Sequence, residues 1–280
     1  MRFSVVGRLF ILFAILYHKM KLKRVLVVHK DSISEEHLRT MDETRSIINE
    51  YDLKCVFLKR DELNKERVEN YDLILSVGGD GTLLRVSHFV NNAAILGINS
   101  NPKTSEGVLC YATRYDLKEK LTRIIDGNFG IKKLTRARVF FINAGRNYDA
   151  LNEIYVGSAK SYHISRYILK FGSVEEEQRS SGIIITTGAG SRAWYGSIIK
   201  ESFNPEMKEL RFVVREPYRG KLVKFNLIKG KLDANKKLYI KSKMANGIVA
   251  VDSIIEAPFS NEEEIKVSIS PVPVTLISFV

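Results

Sequence analysis

The apolar run Leu73 to Val77 leads directly into Gly78-Gly79-Asp80-Gly81-Thr82. Such a run reads as a parallel strand covered on both faces. The glycines after it let the backbone approach a ligand closely and aim successive N–H groups at phosphate oxygens, beside the start of a helix expected over Leu83, Leu84, Val86, Phe89 and Val90. One carboxylate, Asp80, stands in this turn. A carboxylate repels phosphates, so it needs a task there: abstracting a proton from an attacking hydroxyl, or holding Mg²⁺. The plainer alternative is a strand-to-helix turn in which Asp80 is only the N-cap.

Two further constellations follow. Ala150-Leu151-Asn152-Glu153-Ile154 sets an amide and a carboxylate side by side in an apolar run. Neighbouring strand residues point to opposite faces unless the strand ends or bulges there. A single carboxylate suits the adjacent hydroxyls of a ribose, and an Asn-Glu turn between strands is the competing reading. Further on, Ile183 to Thr187 runs into Gly188-Ala189-Gly190-Ser191-Arg192-Ala193-Trp194. Small side chains allow a flat ligand near the backbone, Trp194 can cover an aromatic ring, and Arg192 can meet a phosphate. A flexible connector with a core tryptophan is the alternative.

Other chemistries lack their signatures. The chain has no GxxxxGK[ST], no complete GxGxxG, no HExxH and no GxSxG. His18, His29, His37, His88 and His163 show no ligand spacing, and Cys55 and Cys110 are too far apart for a CxxC pair or a disulfide framework, which points to a reducing compartment. The 280 residues are 45% hydrophobic and carry a net charge of +12, enough apolar matter for a full core and a bias toward anionic partners. The basic residues are dispersed without an interleaved aromatic RNA motif or a helix-turn-helix, so nucleic acid is not expected.

The elements that must position these residues fall into two textures. From Lys23 onward strands alternate with helices: Arg24 to Val28, a helix capped by Ser32 and Glu35 along which Leu38, Met41, Ile48 and Tyr51 recur at helical spacing, Lys54 to Leu58, Leu73 to Val77, Ala94 to Ile98, and a helix capped by Asp116 and Glu119 that stops at Asp126-Gly127. Past Ile131 come short β-rich runs: Val139 to Ile142, Leu151 to Val156, Tyr162 to Phe171, Ile183 to Thr187, Leu210 to Val214, Lys221 to Leu227, Leu238 to Lys241 and Gly247 to Val251. The expected fold is an α/β nucleotide-binding domain over residues 20–130, containing a parallel sheet, followed by an all-β, sandwich-like domain over 131–269. Residues 270–280 return to the first domain. Residues 1–19, with an apolar run from Phe3 to Tyr17 too short to span a bilayer, read as an upstream extension before a start at Met20. The location expected is cytoplasmic, or mitochondrial or membrane-anchored if residues 1–19 are a targeting segment.

GGDGT, then ALNE, then a small-residue loop ending in an aromatic residue, in that order, resembles the NAD kinase family and within it the mitochondrial-type branch and its microbial relatives. Gly97 to Pro102, Ser105-Glu106-Gly107, Gln178 to Trp194 and Val214 to Pro217 add to the likeness, which covers about Lys23 to Ser253. The resemblance implies transfer of the γ-phosphoryl group of ATP to the adenosine ribose 2′-hydroxyl of NAD. By it Asp80 is the base; Gly78, Gly79, Gly81 and Thr82 shape the phosphate site; Asn99 is the polar residue ending the fourth strand. Asn152 and Glu153 become dinucleotide ligands near a ribose, and Ser191, Arg192, Ala193, Trp194 and Ser197 belong to the loop at the nicotinamide half. It also implies Mg²⁺ held through the ATP phosphates rather than by a protein cluster, and a homodimer or homotetramer. The chain departs from the commoner bacterial pattern with Ser181-Gly182 in place of Asp-Gly and TGAGSRAW in place of TPTGSTAY. A lipid kinase of the diacylglycerol or sphingosine type shares the GGDGT turn and is the alternative enzyme, with a membrane contact not expected. A non-catalytic dinucleotide sensor is the alternative binder.

Overall fold

The computed structural model describes Leu22, residues 24–218, Gly220 and residues 224–279. The apolar run Phe3 to Tyr17 and Met20 lie outside the described residues, as do the first three positions of the strand expected over Lys221 to Leu227.

The elements, in chain order, are β1 (Val25–His29), α1 (Glu35–Glu50), β2 (Cys55–Lys59), α2 (Lys65–Val68), β3 (Leu73–Gly78), α3 (Asp80–Ser87), β4 (Ala94–Asn99), β5 (Ala112–Thr113), α4 (Leu117–Ile125), β6 (Gly130–Leu134), β7 (Ala137–Phe141), β8 (Asn147–Ala150), β9 (Glu153–Ser158), β10 (Ser165–Phe171), β11 (Val174–Ser180) and β12 (Ile183–Thr186). Then follow α5 (Trp194–Ile199), β13 (Leu210–Val214), β14 (Lys229–Leu232), β15 (Leu238–Ser242), β16 (Gly247–Val251), β17 (Ile255–Pro258), β18 (Glu264–Ile269) and β19 (Val274–Ser278). The described residues form two compact units, one of Leu22, 24–83, 93–131 and 276–279, the other of 84–92 and the described part of 132–275.

The first unit is built on a sheet in the order β2-β1-β3-β4-β19-β6, with β5 on β4. Pairings β1 with β2, β1 with β3, β3 with β4, and β4 with both β5 and β19 are parallel. Every residue of β3 and β4 is buried, as their uniformly apolar runs require of strands covered on both faces. Met41, Ile47 and Ile48 of α1 and Leu117, Leu121 and Ile124 of α4 pack into the same core as Val27, Leu75 and Leu96.

Three local expectations shift here. The N-cap of α1 is Ser34 rather than Ser32; the Ser32 hydroxyl accepts from the Ser34 amide, so it shapes the turn before the helix. Leu38 points to solvent, half exposed, while His37, Thr40, Thr44 and Ile47 take the inner face. Asp116 does precede α4, yet its carboxylate accepts from the Thr113 amide (2.7 Å) and hydroxyl (3.0 Å) instead of the helix's own N–H groups.

The second unit is two six-stranded antiparallel sheets, β11-β10-β15-β18-β7-β8 and β14-β13-β12-β9-β16-β17. Alternation along β7, β13, β15 and β16 turns every second residue inward. Phe141, Tyr167 and Ile240 from one sheet and Ile185, Phe212 and Val249 from the other meet in one core, closed by Phe259. The strand expected over Lys221 to Leu227 is not seen in its described part: the Glu176 carboxylate takes the amides of Asn226 and Leu227, and ladder pairing resumes only at Lys229. The architecture is α/β plus all-β. Among the described residues no helix is long and apolar enough to cross a membrane.

Candidate functional site

In an open parallel sheet, ligands bind beyond the carboxyl ends of the strands, and both polar turns of the first unit lie there. Gly78 pairs with Asn99 at the ends of β3 and β4, and the Ser100 amide donates to the Gly78 carbonyl at 2.7 Å. The glycines earn their places unequally. A β-carbon on Gly78 would stand 2.1 Å from Thr82 Oγ1 and one on Gly79 2.7 Å from Ser105 Oγ, whereas Gly81 faces open space.

Asp80 opens α3, but its carboxylate does not cap that helix. The Gly79 carbonyl receives the amides of Thr82 and Leu83, while the Asp80 oxygens accept the amides of Val108 (3.0 Å) and Leu109 (2.8 Å). The carboxylate is therefore fixed by a loop from elsewhere in the sequence and keeps acceptor sites for a further donor. Asn99, 5% exposed, organises that loop: its amide donates to the Ser105 carbonyl (2.9 Å) and its oxygen accepts the Asn101 amide (3.1 Å). Gly107, at φ +60°, packs so tightly on Asn99 that a β-carbon would come within 2.4 Å of Nδ2. Beside these groups lies a cavity of about 440 Å³ lined by Asn99, Ser105, Glu106, Cys110, Lys120 and Phe279. Burial, followed by the nearby Asp80 carboxylate, pushes the Cys110 thiol up to about 12, which makes it a spectator rather than a nucleophile.

The second unit gathers Asn152, Glu153 and the small-residue loop. Asn152 immediately precedes β9 and Glu153 is its first residue, opposite Thr186 of β12. The expected strand thus starts two residues late, because the amides of Leu151, Asn152 and Glu153 all donate to the Asp252 side chain. Glu153 is 7% exposed, and its Oε2 is buried without a hydrogen-bond partner. Burial, and then the charge of Asp252, push its carboxyl up to about 7. The loop after β12 lies on this turn: the Thr187 amide donates to the Asn152 carbonyl at 2.9 Å.

The loop residues divide. Ser191 is fully buried, its hydroxyl donating to the Gly188 carbonyl (2.7 Å) and accepting the Phe203 amide (3.1 Å), so that hydroxyl is engaged in building the loop. Arg192 and Ser197 are exposed, and Ala193 is half-buried. Trp194 stacks on Tyr155 with ring centroids 5.3 Å apart and carries the Arg215 guanidinium 4.8 Å from its ring centre, so its indole is already occupied by its own unit. Sequence reasoning missed Asp252 and its partner His88. Two consecutive non-glycine residues in left-handed conformation, Asp252 at φ 53° and Ser253 at φ 55°, mark that turn, and a two-residue polar break between the β runs at Val251 and Ile254 was its only signal in the sequence.

Among the described residues no three His, Cys, Asp or Glu side chains form a metal cluster. The first unit thus carries a glycine-rich turn with one fixed carboxylate at the end of a parallel sheet, and the second is a β-sandwich. Residues 10–129 match the model of the ATP-NAD kinase N-terminal domain. Over 203 residues the chain is 30% identical to a probable NADH kinase of Oryza sativa subsp. japonica, covering 65% of this chain and 62% of that protein. It is 26% identical to the mitochondrial NAD kinase 2 of Homo sapiens over 202 residues (56% of this chain, 46% of that one) and 36% identical to the NAD kinase of Thermococcus kodakarensis over 130 residues (44% of each). The matches span less than two thirds of these relatives' length. Among solved structures, an Archaeoglobus fulgidus NAD kinase in complex with ATP has TM-score 0.72 at 23% identity, covering 90% of this chain and 92% of that one. Yeast NADH kinase complexed with NADH has TM-score 0.79 at 15% identity, covering 93% and 84%. The chain resembles the NAD kinase family in sequence and in fold.

Proposed function

We propose that the protein is an NAD kinase, transferring the γ-phosphoryl group of ATP to the 2′-hydroxyl of the adenosine ribose of NAD. The observation that carries this reading is Asp80, held at the carboxyl end of β3 by the amides of Val108 and Leu109 with acceptor capacity to spare. In the transfer, the bond from the ribose O2′ to the γ-phosphorus forms as the bond from that phosphorus to the β,γ-bridging oxygen breaks. The hydroxyl proton passes to Asp80, and ADP leaves. A positioned general base contributes roughly 10²- to 10⁴-fold to such a step, and the remainder comes from orientation and charge balance.

The Gly78-Gly79 turn carries the phosphates. Asn152 and Glu153 hold a ribose: the buried, unpartnered Oε2 of Glu153 is an acceptor suited to a hydroxyl donor. The Ala193–Ser197 segment serves the nicotinamide half through backbone and small side chains, with Trp194 acting as its support. Magnesium fits as a companion of the donor. Among the described residues no three His, Cys, Asp or Glu side chains form a cage, so Mg²⁺ would come with the donor phosphates beside Asp80 and would supply charge neutralisation there. The names of relatives acting on NAD and NADH, and of a structural neighbour holding ATP, support these substrate classes.

The test is direct. Protein incubated with labelled ATP and either NAD or diacylglycerol vesicles should label NAD alone, at the ribose 2′ position. Labelled lipid would establish the lipid-kinase reading instead, and binding of NAD with no product from any donor would establish a sensor. Size-exclusion chromatography with light scattering should return a dimer or tetramer, and fractionation of the source cells decides between cytoplasm and mitochondrion.

A further inference from the structure

We infer that Asp252, backed by His88, is the positioning residue for the ribose-binding pair Asn152 and Glu153, a role that rests on the kinase reading above. Asp252 is 3% exposed, its side chain fully buried, and each of its oxygens takes two donors. Oδ1 receives the amides of Asn152 (2.7 Å) and Glu153 (3.0 Å); Oδ2 receives the amide of Leu151 (2.7 Å) and Nε2 of His88 (2.9 Å). An ionised carboxylate has about four acceptor sites, so all are used, and His88 must carry its proton on Nε2. The Asp252 amide returns a bond to the Glu153 carbonyl at 3.0 Å.

The turn that presents this carboxylate is strained. Asp252 and Ser253 are both left-handed, and the Ile254 amide closes the turn on the Val251 carbonyl at 3.0 Å. A turn of this geometry ordinarily uses Asn-Gly or Asp-Gly; here the second position is a serine, and the first carries the carboxylate that reaches the 151–153 amides. Leu151 and Asn152 lie ahead of the β9 ladder, and their amides go to this carboxylate. The device also controls Glu153 itself, whose buried carboxyl feels the Asp252 charge.

The His88 end is secured separately. Arg136, 2% exposed, donates from Nη1 to the Ser87 carbonyl (3.0 Å) and from Nε to the Val272 carbonyl (2.8 Å), holding the backbone next to His88. Asp252 thus orders three consecutive amides, two of which carry the side chains proposed to meet the ribose, and its own oxygens are taken up by protein donors.

The experiment uses the full chain and measures NADP formation, with KM and kcat resolved for NAD and for ATP, together with NAD binding by calorimetry. Asp252→Asn turns an NH₂ group toward amide donors and should raise KM and Kd for NAD by about tenfold, as losing a charge-assisted bond predicts. KM for ATP should stay near the wild-type value. His88→Leu, which removes the donor, should raise KM for NAD, and His88→Gln, which can still donate, should restore it toward wild type. Equal losses on the NAD and ATP sides, an unchanged NAD affinity in folded Asp252→Asn, or identical behaviour of the Leu and Gln variants would overturn the inference. Should Asp252→Asn fail to fold, the two His88 variants decide. Wild-type protein that makes no NADP with any donor defeats the kinase reading and this inference together, whereas an active wild type with unaffected variants defeats the inference alone.

Discussion

Gly190 lies against the backbone of Asn152 so closely that a β-carbon at 190 would stand 2.2 Å from the Asn152 carbonyl oxygen and 2.6 Å from its Cα. The neighbour is main chain, which cannot rotate away as a side-chain tip can. Gly190→Ala should therefore displace the Asn152–Glu153 turn, costing about 3 kcal/mol of stability by overpacking. Urea melts would measure that loss. Titration with NAD should show weaker binding in the same variant, and an unaltered melt would mean that the loop moves independently of the turn.

Replacing Asp80 with asparagine should leave NAD affinity near wild type while lowering kcat by about 100-fold or more, the scale of a lost general base. The Asn side chain keeps an oxygen for one of the Val108 and Leu109 amides and loses the bond to the other, so a thermal melt of the variant accompanies the kinetics. Steady-state kinetics at saturating NAD and ATP is the check, with turnover within a few-fold of wild type counting against the assignment.

Glu153 predicts a specific pH dependence. Its folded carboxyl titrates at about 7 against an unperturbed 4.5, so the folded chain holds a proton that the unfolded chain releases between those values. Stability from this group is complete below pH 4.5, declines as pH rises through about 7, and is then level. The displacement corresponds to about 3 kcal/mol. In Glu153→Gln this decline should vanish, which denaturant melts at pH 5 and pH 8 would reveal. Conversely, affinity for NAD in the wild type should improve across the same interval, since the ionised carboxylate is the better acceptor for ribose hydroxyls.

Ser253→Gly should stabilise the chain by about 1 kcal/mol, because glycine enters the left-handed region without the Cβ clash a serine bears. Ser253 lies at φ 55°, and an increase in thermal midpoint measured by calorimetry is the expected sign.

What the sequence discloses of this protein follows from how local the cause is. The parallel strands β3 and β4 were readable because continuous apolar runs need burial on both faces, and Asp80 because glycines surround it. Ser191 looked like a ligand from its place in a polar loop; only the folded chain shows its hydroxyl spent on Gly188 and Phe203. Trp194 reads from the sequence as a ring that can cover a ligand; the contacts it makes with Tyr155 and Arg215, distant in sequence, are visible only in the folded chain. Asp252 stayed hidden for the same reason: its partners are about a hundred residues earlier, and no spacing rule links a hairpin turn to them. Leu38 fits the helical period yet faces water, since the period alone does not say which stripe meets the sheet.

The parallel sheet of the first unit takes in β19, whose Leu276 pairs with Ile95 of β4. A nascent chain emerging from the ribosome has made β1 to β5 long before this partner leaves the exit tunnel, so the stretch of the β4 edge around Ile95, which β5 does not reach, waits for its partner through synthesis of the whole sandwich. Truncation before Val274 would remove this last partner of the sheet, so the final strand closes the first unit only when synthesis ends.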